Sequence, residues 1–237
     1  MQDNIFSLLE RLLSNLKHRP YRLDRRIPLT ALASLLLRRL TWLLRGFTTT
    51  TCLQFRPRVI FMAPNVTLRN STMCQFGRGI TLEQGVVIDG LSEHGVVLGD
   101  SVSIGAYSLI RSSTAMNLGA GISIGRNSSC DAYSFFGAGG LITIGENVIM
   151  GEHVSFHAET HNHGRIDVPI RSQGVTPQPI TIEDDCWIGA NVTFLGGAYV
   201  ASGSIVGAGA VINKRHPPFS VIVGVPGRVM RSRLNEV

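Results

Sequence analysis

The chain has 237 residues, 44% of them apolar and 16% charged, with 26 glycines and a formal net charge of +6. That apolar content excludes wholesale disorder, and many glycines with few charges favour tight turns over exposed amphipathic helices. The surplus charge is local: residues 1–50 hold nine Lys/Arg against three Asp/Glu, and residues 51–237 hold thirteen of each. A neutral body excludes a generic nucleic-acid binder, because a phosphate backbone demands a concentrated basic face.

Two helices are predicted first. Ile5, Leu8, Leu9, Leu12, Leu13 and Leu16 recur at helical spacing, as do Leu29, Leu32, Leu35, Leu36, Leu40, Leu43, Leu44 and Phe47. Pro20 and Pro28 bracket the connector, and Gly46 with Thr48–Thr51 is expected to end the second helix. Residues 1–50 therefore read as an amphipathic, basic helical hairpin with Arg on its outer face. It would cap the solenoid described next, or lie on an anionic membrane, with Trp42 and Phe47 beside Arg38, Arg39 and Arg45. The run Leu29–Leu37 meets Arg38-Arg39 well short of the roughly 20 apolar residues that span a bilayer. The first residues lack a basic n-region, so no secretory signal is expected. Cys52, Cys74, Cys130 and Cys186 form no CxxC pair, which suits a reducing compartment rather than a disulfide framework. A cytoplasmic protein, peripheral at the inner face of the cell membrane, is the expectation.

From about residue 60 helical spacing gives way to a period of six. It runs Leu98, Ile104, Ile110, then after a slip Leu118, Ile124, Cys130. After an insertion it continues Ile144, Met150, Phe156, and after a longer one Ile182, Ile188, Phe194, Val200, Val206, Ile212. A weaker set, Met62, Leu68, Phe76, Leu82 and Ile88, precedes these. Six fits neither a helix nor a plain strand. It fits a short strand plus a turn, with one inward aliphatic per side of a prism and glycine (Gly99, Gly105, Gly125, Gly145) relieving strain at the corners. Three sides make one coil of about 18 residues, and stacked coils bury a continuous apolar axis. Residues 51–237 thus read as a mainly β, parallel β-helix solenoid with a protruding loop at 157–179.

The repeated (Leu/Ile/Val)-Gly-x-x-(small or branched)-x resembles the hexapeptide-repeat acyltransferases. The stretches from Thr143-Ile144-Gly145 to His161 and from Ile180 to Arg228 resemble the galactoside and maltose acetyltransferases and the bacterial polysaccharide O-acetyltransferases. The resemblance implies a left-handed parallel β-helix, a homotrimer, and acetyl-CoA or another acyl-CoA as co-substrate without a required metal. The acceptor it implies is a sugar hydroxyl, on a polysaccharide or lipid-linked precursor. N-acetylation of an amino-sugar nucleotide, a zinc lyase of the γ-carbonic-anhydrase type and a non-catalytic platform remain alternatives.

Four histidines, His153, His157, His161 and His163, cluster before and within the loop. Counted from Thr143-Ile144-Gly145, His161 matches the catalytic histidine of the family. Its implied role is general base, for which an ordinary imidazole pKa near 6.5 is suited. His163 would orient it or touch the acceptor. Asp131 matches an active-site asparagine of the galactoside enzymes, and Glu159 is a second candidate partner for an imidazole. The acyl-CoA groove is implied at Gly189, Ala190 and Ala208, where small residues admit the pantetheine arm and amides near Gly189–Ala190 face an oxyanion. Asn213 belongs to the same groove, Lys214, Arg228 and Arg231 match its phosphate end, and Trp187 is expected to pack beside it.

Overall fold

The computed structural model describes residues 2–17, 22–52, 59–112 and 117–235. Helix α1 spans Gln2–Lys17 and helix α2 spans Leu29–Cys52. Pro20 lies outside the described residues, as do the side chains of Ile5, Leu13 and Leu16. Helix α2 runs through Gly46 and the threonines instead of stopping there. Gly46 serves packing rather than termination, since a Cβ there would stand 1.9 Å from the Ile60 carbonyl oxygen. Leu32 is buried along with Gly46, and the Arg45 guanidinium donates to the Met62 carbonyl at 3.2 Å. Arg39 lies over Trp42 and Phe61 at 5.0 and 6.0 Å from the ring centres. The helix therefore closes the apolar end of the solenoid, with two of its arginines turned inward rather than outward.

The rest is a three-sided prism. Sheet A has nine strands, from Ile60–Met62 to Arg228–Ser232. Sheet B has seven, from Thr67–Arg69 to Val211–Ile212, and sheet C seven, from Cys74–Phe76 to Arg215–His216. All pairings within them are parallel except the last, where Arg228–Ser232 folds back antiparallel on Ser220–Val223. Register stacks like on like. Met62, Leu82, Ile104, Cys130, Met150, Ile188, Val206 and Ile222 form one buried row in sheet A. In sheet B, Phe136, Phe156 and Phe194 stack inside the prism at 4.9 and 4.7 Å between ring centres. Their burial supplies much of the axial core, at about 25 cal/mol per Å² of apolar surface.

Two readings of the repeat change. Phe136 belongs to the inner row of sheet B, and Leu118 does not: it is 56% exposed, on an insertion outside the coil. The corner glycines Gly125 and Gly145 have no positive φ, so strain relief is not their task. Coil spacing is. A Cβ at Gly125 would stand 2.5 Å from the Gly145 carbonyl carbon. The left-handed backbone sits two residues further on, at Ser101, Tyr107, Asn127, Tyr133, Asn147 and His153, where φ is 57–63°.

The period is kept at two corners and broken at one. From A to B every inner residue is six from the next (Ile104 to Ile110, Ile188 to Phe194), and likewise from C to A (Ile124 to Cys130, Val200 to Val206). From B to C the step varies: Leu68 to Phe76, Ile88 to Leu98, Ile110 to Ile124, Phe136 to Ile144, Phe156 to Ile182. Every insertion lies on the B–C corner.

Candidate functional site

The two longest B–C insertions wall a cleft of about 500 Å³. One follows Ile110 and brings Asn117, Leu118 and Gly119 back over the coil. Gly119 rests so near Ser112 that a Cβ would stand 1.9 Å from the Ser112 carbonyl oxygen. The other is an arm. Glu159–His161 pairs antiparallel with Val175–Pro177, and the turn between them is knit by side chains. Gln173 Nε2 donates to the carbonyls of Arg165 and Val168 at 2.7 and 2.8 Å, and Thr176 Oγ1 donates to Asn162 Oδ1 at 2.6 Å. Asn162 Nδ2 donates to the Gln173 carbonyl at 3.1 Å, and Arg165 pairs with Asp167 at 2.6 Å. So long an excursion keeps one shape because its polar side chains bond to its own backbone and to one another.

His161 ends the outgoing strand of the arm and lines the cleft, beside Glu159, Val175 and Pro177. Its main chain is braced: His163 Nδ1 lies 3.0 Å from the His161 carbonyl oxygen. A carbonyl oxygen only accepts, so Nδ1 is the donor in this contact. His157, on the outer face of sheet B, also lines the cleft, tilted against Phe135 with 5.4 Å between ring centres. His153 lies elsewhere, on the A–B corner, as the last ring of a stack with Tyr133 at 5.1 Å and Tyr107 beyond it. Among the described residues no group of three His, Cys, Asp or Glu side chains is placed to hold a metal ion.

Asp131 does not meet His161 within one chain. It opens the A–B corner after Cys130, whereas His161 lies past the B–C corner, so the width of sheet B separates them. Gly189, Ala190 and Ala208 share the A–B corner with Asp131. The amide of Gly189 donates to the Val206 carbonyl at 2.8 Å, so it is spent in the coil and is not an oxyanion donor. Asn213 and Lys214 follow sheet B on the coil beyond the arm, at the B–C corner. Arg228 and Arg231 lie on the antiparallel terminal strand. Burial holds the His216 imidazole below its ordinary range, and the nearby charges of Lys214 and Arg228 add to that. Lys214, Arg228 and His216 therefore cluster at one basic end. Arg215 is occupied, its guanidinium 3.8 Å from the centre of the Tyr199 ring. Trp187 is not packed: it is 57% exposed on the outer face of sheet A, next to Ile149.

Among the cleft residues that sequence reasoning missed are Arg111, Ser112, Phe135 and Gly137. The signal was the departure from period six after Ile110, which marks a loop on the same corner as the arm.

Residues 179–214 match the family described as bacterial transferase hexapeptide (six repeats). A Schizosaccharomyces pombe protein named as an acetyltransferase is 38% identical over 91 residues, covering 38% of this chain and 42% of that one. A Mycobacterium tuberculosis protein named as an acetyltransferase is 36% identical over 73 residues, 31% of this chain and 24% of its own length. The chain thus spans less than half the length of these two relatives. Escherichia coli WbbJ, named for O-acetyl transfer in lipopolysaccharide biosynthesis, is 25% identical over 178 residues, with 71% and 76% coverage. Among solved structures, the hexapeptide-repeat acetyltransferase VCA0836 of Vibrio cholerae is 21% identical, with 98% and 92% coverage and a TM-score of 0.44. Residues 179–214 of the parallel prism therefore carry the hexapeptide repeat of bacterial transferases.

Proposed function

We propose that the chain is an acyl-CoA-dependent O-acetyltransferase, with acetyl-CoA as donor and a sugar hydroxyl as acceptor. The observation that carries the reading is the arm that presents His161 to a cleft of about 500 Å³, within the size range of small-molecule sites. The His161 imidazole takes the proton from the acceptor hydroxyl as its oxygen attacks the thioester carbonyl. The tetrahedral adduct then expels the CoA sulfur, which receives that proton from the imidazolium, so ester and free thiol are the products. Lys214, Arg228 and Arg231 are suited to the CoA phosphates, and Gly189, Ala190, Ala208 and Asn213 to its pantetheine arm. Release of free thiol from acetyl-CoA, followed across a panel of neutral and acidic sugars, tests the reading. Acceptor-dependent release supports it, and no release with any acceptor removes it.

A homotrimer completes the site in this reading, since a neighbour's A–B corner would bring Asp131 toward His161. Ile149 and Trp187, 58% and 57% exposed side by side, and the fully exposed Ile166 on the arm are surfaces suited to a second copy.

Residues 1–46 are further proposed to rest on an anionic membrane. With Leu32 and Gly46 turned to the solenoid, Leu29, Leu37, Leu40, Leu44 and Phe47 form one exposed stripe along α2. The whole net charge lies in the same fifth of the chain, where each Lys or Arg near anionic lipid contributes about 1 kcal/mol. Like charge disfavours pairing this end with its own copy. No described helix is long and apolar enough to cross a membrane.

A further inference from the structure

The cleft has two unlike walls. Glu159 and His161 stand on the arm; across from them Arg111 ends a strand of sheet B and Ser112 opens the insertion that follows it. Arg111 has no carboxylate partner among the described residues. Ser112 is 8% exposed, and its Oγ is buried without a hydrogen-bond partner among them. Among the described residues a buried hydroxyl is thus unpaired and the adjoining guanidinium is in no ion pair, an uncommon arrangement that a ligand accepting from both would relieve.

The floor between the walls is shaped by one residue. Arg111, Gly137 and His157 are in register on three adjacent strands of sheet B. With no side chain at Gly137, the Phe135 ring lies across that position, 2.9 Å from where a Cβ would stand. An apolar ring thus separates a cation on one side from an imidazole on the other. Two strand spacings, about 10 Å, separate the Arg111 and His157 backbones. That span accommodates one sugar ring over Phe135, with a charged substituent at the Arg111 edge and a free hydroxyl at the His157 edge, where the arm that carries His161 leaves the sheet.

We propose that the acceptor is an acidic sugar, bearing a phosphate or a carboxylate that Arg111 and the Ser112 hydroxyl bind on the wall opposite His161. Guanidinium binds either anion in the same bidentate manner, and the Ser112 O–H donates to a remaining oxygen. The proposal rests on His161 being the base, since that fixes which end of the ring the anion occupies.

Binding of glucose 1-phosphate, glucuronate and glucose to the full chain tests it, measured by calorimetry or ligand-detected NMR. One or both acidic sugars should bind at least tenfold more tightly than glucose. Arg111→Gln should weaken the acidic probe at least tenfold and leave glucose unchanged, Arg111→Lys should restore part of the loss, and Ser112→Ala should give a smaller loss. Glucose binding as well as both acidic sugars, or Arg111→Gln leaving all three unaltered, overturns the proposal. Acetyl-CoA binding and thiol release are followed separately. Arg111-dependent binding without thiol release would fault the transferase reading and not this site, whereas thiol release with Arg111-independent binding would fault this site alone.

Discussion

His163 Nδ1 lies 3.0 Å from the carbonyl oxygen of His161, so the second histidine holds the backbone of the first rather than its ring. The two substitutions should therefore differ in kind. If His161 is the proposed base, His161→Ala should lower turnover by about 10² or more with acyl-CoA affinity unchanged, because that reaction loses its proton acceptor in the transition state. His163→Ala should lower it by a smaller factor, and His163→Asn, which keeps a donor, should recover part of that. Steady-state kinetics with a direct CoA-binding measurement check both. Equal losses for the two alanines would place His163 in the chemistry.

His216 makes a pH prediction. Its imidazole is 3% exposed at the end of sheet C, its Nε2 has no partner among the described residues, and its pKa lies below the ordinary 6.5. The unfolded chain therefore takes up a proton at higher pH than the folded one. Stability is complete above about pH 6.5 and falls as the pH drops from there toward the depressed folded value. His216→Phe should flatten that acid slope in thermal melts between pH 7 and pH 5. An unchanged slope would assign it to other groups.

Gly125→Ala should destabilise by about 1–3 kcal/mol, since the new methyl meets backbone of the next coil that has no room to yield. In a chain of this size that corresponds to about 2–4 °C of melting temperature per kcal/mol. A melting point within 1 °C of the parent, allowing for about that error, would mean the coils can separate.

The exposed stripe on α2 predicts binding to vesicles containing anionic lipid, weakening as salt rises over a Debye length of about 8–10 Å. Leu40→Ser with Leu44→Ser should reduce it, and deletion of residues 1–46 should abolish it. Binding that survives deletion, or salt-dependent self-association through the same leucines, would leave α2 as a cap or a contact between copies.

Sheet A predicts an assembly. Sedimentation of the full chain should show a trimer, and Trp187→Asp should shift it toward monomer because the charge lands on an apolar patch that a neighbour would cover. A parent that sediments as a monomer at working concentration would leave Trp187 without a partner surface.

Much of the fold was legible because a period of six admits so few structures, and the inner rows confirm it wherever the step is regular. Phe136 and Leu118 were exchanged because counting by six cannot tell an eight-residue excursion from a slip of two. The corner glycines were legible as corners, but their reason was not: the close approach of Gly125 to Gly145 depends on coils far apart in sequence. The arm could be located because it interrupts a long regular run, and the resemblance singled out His161 within it. Arg111 looks in sequence like an ordinary strand end, and the register with Gly137 and His157 brings it to the cleft. Trp187 misled because a strand position alternates between core and outer face, and its neighbour Ile188 takes the inner one.

The confinement of every insertion to one corner separates the part of the molecule that must be conserved for folding from the part that can change. A–B and C–A turns are bound on both sides by stacked coils, so one added residue would rotate all later side chains off the axis. The B–C turn opens outward, and lengthening it costs only the slow logarithm of loop closure, about 0.6 kcal/mol per doubling. The same prism can therefore exchange its arm for another of different length or chemistry while its core row stays in step. The arm is a removable fitting on a fixed spindle, and transplanting residues 158–179 between prisms of this kind would replace the wall that carries His161 while sheet B keeps Arg111 and Phe135 in place.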